Sequence, residues 1–228
     1  MKLPLQQLKS GRWIFEIYVV AATIMLFLFA FLYLGLPVTV VDVLAFAAVG
    51  FAFIFFKKLV ALLFNVHVSG NIWIAGIIFS VVATLIASSF GMPIIIPLFN
   101  FNKYSRRKTL TGLKRGEINA HEKWKVAVFS TLALSFIAML TLLAWGRYGG
   151  ITFFAAGIAI AMFVLVDFLP FEKFDGTTLI YHNNLVYYIT FMLLILFTAT
   201  GLISYSWVLP VFIALLVFNI ATYIMNLW

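Results

Sequence analysis

Four ionisable side chains, Asp167, Glu172, Lys173 and Asp175, crowd the end of an apolar run in the segment Asp167-Phe-Leu-Pro-Phe-Glu-Lys-Phe-Asp175-Gly176. Charged groups near bilayer depth are costly, so they mark a site by default. A carboxylate placed there can ligate a metal or line an ion path. Because Asp-Gly is a strong turn former, Asp175-Gly176 can also simply turn or cap the chain, and that structural role is the first expectation. The other donors are few. His67, His121 and His182 fall in or beside predicted loops, and no two of them are one helical turn apart. Together with Glu122 and Asp175 they form the only alternative metal-ligand set. The chain has no Cys, which excludes thiolate ligands, cysteine nucleophiles and disulfides.

The elements that must position these residues are membrane helices. The chain is 65% hydrophobic and 10% charged, with mean hydropathy +1.14. A soluble domain is nearer a quarter charged, so a single integral membrane domain over 1–228 is expected. Apolar segments fall near 13–36, 38–64, 72–98, 126–146, 150–170, 184–203 and 205–227. They are long and do not alternate, which predicts helices. The run 13–36 is too long for the apolar core of a signal peptide and reads as the first anchor. All six Trp (13, 73, 124, 145, 207, 228) lie at segment ends, where indoles settle at the headgroup level.

One segment breaks the pattern. Gly91-Met-Pro93 interrupts 72–98, and Pro97 prevents the remainder from being good helix. We expect a re-entrant helix over about 72–89, returning as an extended stretch through Met92–Phe99. Such backbone is tolerated at that depth only when buried in protein or facing water. The fold class is therefore all-α, a polytopic bundle of about six transmembrane helices plus this re-entrant or broken segment.

The polar stretch 100–125 holds eight of the 15 Lys and Arg, which marks a cytoplasmic loop. Lys2, Lys9 and Arg12 put the N-terminus on the same side, and a non-crossing 72–98 satisfies both clusters. Both termini are then cytoplasmic. Lys103, Arg106, Arg107 and Lys108 could meet anionic lipid headgroups at roughly 1 kcal/mol each, although topology setting is the simpler use of the loop. No nucleic-acid-binding fold accompanies the charge. Lys57 and Lys58 fall near the same interface and are expected to snorkel to it, with Asp42 or Asp167 as alternative partners.

The segment around Asp175 resembles the second active-site motif of the site-2 proteases, zinc metalloproteases that cut within the bilayer. That motif is Asn-x-x-Pro-x-x-x-x-Asp-Gly, and its aspartate binds zinc. Pro170, Asp175 and Gly176 keep the spacing, and Asp167 stands in place of the asparagine. The family's first motif, His-Glu-x-x-His, puts two imidazoles on one helical face with a glutamate as general base. Family members often continue with Lys-Leu-Val-Ala, present here as Lys58-Leu59-Val60-Ala61. Counting back places the motif on Phe53, Ile54 and Lys57, none of which serves zinc catalysis. A second imitation, His121-Glu122-Lys123-Trp124-Lys125, ends in lysine and is expected to be a solvated stretch before a span. The resemblance covers Ala52–Val66 and Glu117–Tyr188.

The resemblance implies a catalytically inactive member of the fold, with no cofactor and Asp175 as a vestigial ligand. Its partners would be membrane lipids and transmembrane helices of other proteins. Two other readings stand beside it. One is an intramembrane metalloprotease with a non-standard zinc site built from His67, His121 or His182 plus Asp175. The other is a small transporter or channel with Asp42, Lys57, Asp167 and Asp175 along a polar path.

The basic clusters generate a test of topology. Single cysteines at Ser10 and Ser105 of this Cys-free chain should be equally shielded from an impermeant thiol reagent in intact cells. Labelling of Ser105→Cys alone would mean that 72–98 crosses the membrane.

Overall fold

A computed structural model describes residues 12–64, 66–98, 100–106, 120–170 and 174–225. The helices are α1 (Arg12–Tyr33), α2 (Val40–Leu63), α3 (Ile74–Ser88), α4 (Ala120–Tyr148), α5 (Ile151–Asp167), α6 (Asp175–His182), α7 (Asn184–Ile203) and α8 (Val208–Met225). Two strands, β1 (Val66–Ile72) and β2 (Asn100–Arg106), complete the described elements, with a 3-10 turn at Tyr205–Trp207. The architecture is the expected all-α bundle. Five of its helices are long and apolar enough to cross a membrane, and α5 is a shorter apolar helix. This is a multi-pass membrane protein.

Local chemistry sets the turns. After α1, Gly35 takes a positive φ of 66°, and Gly35 and Leu36 donate to the carbonyls of Leu32 and Phe31 at 3.1 and 2.9 Å. That is the Schellman arrangement, with glycine in the left-handed position. Pro37 follows, and Thr39 with Asp42 forms a capping box that starts α2. The α1–α2 hairpin then packs Phe27 flat on Phe46, with ring centroids 3.8 Å apart.

β1 and β2 pair antiparallel, from Val66 opposite Arg106 to Ile72 opposite Asn100. The chain therefore leaves and returns at the same end of the bundle, with α3 between the two strands. The ribbon is an addition to what the sequence suggested. His67, expected in a loop, lies on β1, and the loop expected at 100–125 begins as a strand and ends inside α4. Residues 107–119, including Arg107 and Lys108, lie outside the described residues. The signal for β1 was weak, because buried Val66 and Val68 are followed by Ser69, Gly70 and Asn71, none of them a strand former.

Inside this excursion the extended stretch runs back along α3. Ser80 and Thr84, one turn apart and fully buried, receive the amides of Leu98 and Ile96 at 2.6 and 3.1 Å. Two extended residues rise about 6.6 Å, close to the roughly 6 Å of four helical residues, so the hydroxyls keep step with alternate amides. Amides at the intervening odd positions point the other way, and Pro93 and Pro97 remove two of those donors. This is how irregular backbone is kept inside an apolar bundle.

α4 begins earlier than expected, at Ala120, so His121–Lys125 is helix rather than a solvated stretch. Trp124 is 1% exposed, with its ring centroid 5.1 Å from that of His182 and 6.3 Å from that of Tyr223. His182 of α6 and Tyr223 of α8 cover its indole.

The ribbon gives a direct test of re-entry. Paired cysteines at Val68 and Tyr104, directly opposed across the strands, should form a disulfide under mild oxidation, whereas Val68 with Asn100 should not. If 72–98 spanned, positions 68 and 104 would lie about 30 Å apart and neither pair would close.

Candidate functional site

Lys57 leaves α2 on the same face as Phe53, Ile54, Val60 and Ala61, all buried. That spacing is the inward stripe of a helix. The ammonium donates to Oδ2 of Asp167, the last residue of α5, and to Oδ2 of Asp175, the first residue of α6, the latter at 3.0 Å. The three side chains are 4%, 6% and 3% exposed, so the cluster is buried. The Phe53 ring lies 5.1 Å from Lys57 Nζ as a cation–π contact, and it stacks on Phe163 of α5 at 4.6 Å.

The two carboxylates are brought together by backbone packing. A Cβ on Gly176 would lie 2.1 Å from the carbonyl oxygen of Phe168 and 2.7 Å from that of Leu169, so only glycine lets α6 start against the end of α5. The same Phe168 carbonyl accepts from the Tyr187 hydroxyl of α7 at 3.1 Å. Asp175 and Gly176 thus begin a helix instead of forming a turn. Asp175 also stands at the positive end of the α6 dipole. Pro170 ends the α5 side of this junction, and residues 171–173 lie outside the described residues.

The lysines correct the snorkelling expectation. Lys57 stays inside, because its face of α2 points at two carboxylates that would otherwise be buried without a counter-charge. Lys58, one helical step further round, pairs with Glu16 of α1 and is 39% exposed on its side chain. Asp42 is not part of the cluster. It lies some 22 Å along α2 at the other end, where it accepts from Thr39 and from Thr152 of α5. Buried Phe46, Val49 and Phe53 separate the two ends of that face.

α2 and α5 are consequently clamped twice. Asp42 meets Thr152 and Lys57 meets Asp167, both across a sequence separation of 110. The helices run parallel and in register between two polar contacts.

Among the described residues, the donors around Asp175 do not make a zinc site. Phe53 and Ile54 offer none, and the ammonium of Lys57 already holds the position beside Asp175. Among the described residues, no three His, Asp or Glu side chains converge as a metal site. Of the alternative ligands, His182 packs beside Trp124, and the side chains of His67 and His121 are outside the described set. The sequence reading placed Phe53 on the face of α2 that turns to Asp175, where it forms the floor of the cluster, and missed Tyr187 as the buttress. A lysine in step with Phe53 and Val60 on an apolar face was the available signal for an inward charge. Lys103 and Arg106 lie on β2 at the base of the re-entrant excursion.

Scans against protein-family models, curated proteins and solved structures find no match to this chain. The site must therefore be interpreted from its own chemistry.

Breaking a buried ion cluster from one side is strongly unfavourable, whereas replacing all members by neutral groups is often tolerated. Lys57→Met should cost about 3–5 kcal/mol in detergent unfolding. Lys57→Met combined with Asp167→Asn and Asp175→Asn should recover most of that loss. A single variant as stable as the wild type would show that the cluster holds nothing together.

Proposed function

We propose that this chain is a catalytically inactive relative of the site-2 proteases that binds or regulates other membrane segments. The observation that carries the reading is one convergence. Residues 57, 167 and 175, separated by 110 and 118 positions, meet at one buried point. They are the three positions that the sequence resemblance aligns with a histidine, an asparagine and the zinc-binding aspartate. Counting along a sequence does not by itself bring residues into contact, so their meeting supports the register of both motifs.

In this reading Ile54 replaces the glutamate that would act as general base, and Lys57 replaces a metal-binding imidazole by a fixed positive charge. The centre then has neither an activated water nor a base. It needs no cofactor, and its charges are consumed in joining α2, α5 and α6. What remains is a membrane surface around a rigid centre, suited to holding transmembrane helices of other proteins. The termini and the stretch 100–125 face the cytoplasm in this reading, with Lys103, Arg106, Arg107 and Lys108 near the headgroups of anionic lipids. Nucleic acid is not a partner.

A photo-activatable residue tests the reading in native membranes. Placed at Phe90 by the re-entrant tip or at Tyr181 on α6, both strongly exposed, it should capture discrete transmembrane proteins. Placed at Val217 on the exposed side of α8, it should label lipid alone. Identical lipid-only labelling at all three positions would remove the binding role. Cleavage of a membrane-spanning peptide by purified protein, lost in Asp175→Ala, would overturn the inactive assignment.

A further inference from the structure

We propose that the tip of the re-entrant excursion, residues 88–94, takes two positions, set by whether the Ile94 amide bonds to the Met92 carbonyl or to the Ser88 hydroxyl. The inference concerns the end of α3 and the chain just beyond it, and is independent of the role proposed above. It starts from a ladder with a missing rung. Ser80, Thr84 and Ser88 are fully buried and follow one another at one-turn intervals on α3. Ser80 accepts from the amide of Leu98 and Thr84 from that of Ile96, so the same register offers Ser88 to Ile94. That bond is not made. The Ile94 amide donates instead to the Met92 carbonyl at 2.8 Å, and the Ser88 hydroxyl has no hydrogen-bond partner among the described residues.

Geometry explains why the third rung is open. Two extended residues outrun four helical residues by about 0.6 Å, so the mismatch reaches about 1.2 Å by the third rung. At the same place Pro93, with its fixed φ, folds the chain into a three-residue turn in which the Ile94 amide returns to Met92. A displacement of about 1 Å is within reach of the tip, because the space around Gly91 is open: a Cβ there would meet nothing within 4 Å. The stretch beyond it is fixed by comparison, with Ile95 fully buried and Ile96 and Leu98 bonded to α3.

The two arrangements hold the same number of bonds and differ in the group left over. In the observed one it is the Ser88 hydroxyl, inside the protein; in the other it is the carbonyl of Met92, a residue 40% exposed. An unpaired polar group costs most where nothing outside the protein can reach it, which favours closing the rung. The rise mismatch and the turn at Pro93 favour leaving it open. These opposed costs let both positions be occupied. Passing between them displaces Phe90 and Met92, the exposed apolar side chains of the tip. Whatever packs on the tip in one position more than the other therefore biases the rung at Ser88.

The experiment uses the full chain in detergent, carrying Phe90→Cys as the only thiol of an otherwise Cys-free protein. A trifluoromethyl label on that cysteine, observed by fluorine NMR, should give two resonances in slow exchange. Ser88→Ala should leave one of the two, and Ser88→Thr, which keeps the hydroxyl, should show both. A single averaged resonance that moves in Ser88→Ala and returns in Ser88→Thr would report the same two positions in fast exchange. Melting supplies an independent readout. Ser80→Ala and Thr84→Ala each strand an amide and should melt several degrees lower, whereas Ser88→Ala should stay far closer to the parent protein. One resonance that Ser88→Ala does not move would overturn the proposal, as would two that survive Ser88→Ala unchanged. So would a melting loss in Ser88→Ala as large as that in Thr84→Ala, because the third rung would then be made permanently.

Discussion

A lysine ammonium held between two carboxylates, in a bundle whose core is mostly apolar, is the interaction on which the rest of this structure depends. Each of the three charges would be prohibitive alone at that depth, and the cluster is tolerable only as a unit. Its members come from α2, α5 and α6, so the cost of separating them is a constraint on helix position. Lys57 must remain inward, although its stem is long enough to reach an interface from many other settings. Asp167 must end α5 where it does, and Asp175 must begin α6 there.

The same rule of satisfaction governs the re-entrant excursion. α3 cannot continue past Ser88 because glycine and proline follow, yet the returning chain still carries amides that need acceptors. Ser80 and Thr84 supply them from the facing side of α3. The prolines leave fewer donors on the opposite side. At both places side chains reach across the fold to buried polar partners, and apolar packing fills the remainder.

Much of the architecture was legible in the sequence for physical reasons. Segment lengths and Gly91-Met-Pro93 announced the helices and the break, because hydrocarbon thickness and proline sterics act locally. The ribbon was not legible, since strand pairing depends on a partner some 35 residues away and its own alternation is short. That Trp124 is covered by protein was not legible for a similar reason. An indole at a helix end is amphipathic in isolation, and only the packing of α6 and α8 decides that it is covered. The site was half legible. Asp167, Asp175 and Gly176 stood out by charge and spacing, but Lys57 was read first as a side chain that would seek water, with Asp167 only as an alternative partner. Whether a lysine near a helix end points in or out is set by a rotation of about 100° per residue, and neighbouring Lys57 and Lys58 resolve it in opposite ways.

That divergence says what the buried charges contribute. Neutral side chains of similar volume would hold the same helices with comparable stability, so stability alone does not account for an ion cluster here. A charge specifies position in a way that an apolar contact does not. Sliding α2 by one residue against α5 would preserve most contacts of Phe46, Val49 and Phe53 with their apolar neighbours. It would also carry Lys57 away from Asp167 and Asp42 away from Thr152 together, stranding polar groups at both ends of the helix pair. Two polar contacts spaced equally on both helices therefore penalise every register but one. The short α6 inherits this definition through Asp175 and the close approach at Gly176, and α7 inherits it through Tyr187. The order of the bundle follows from where three charges are allowed to be.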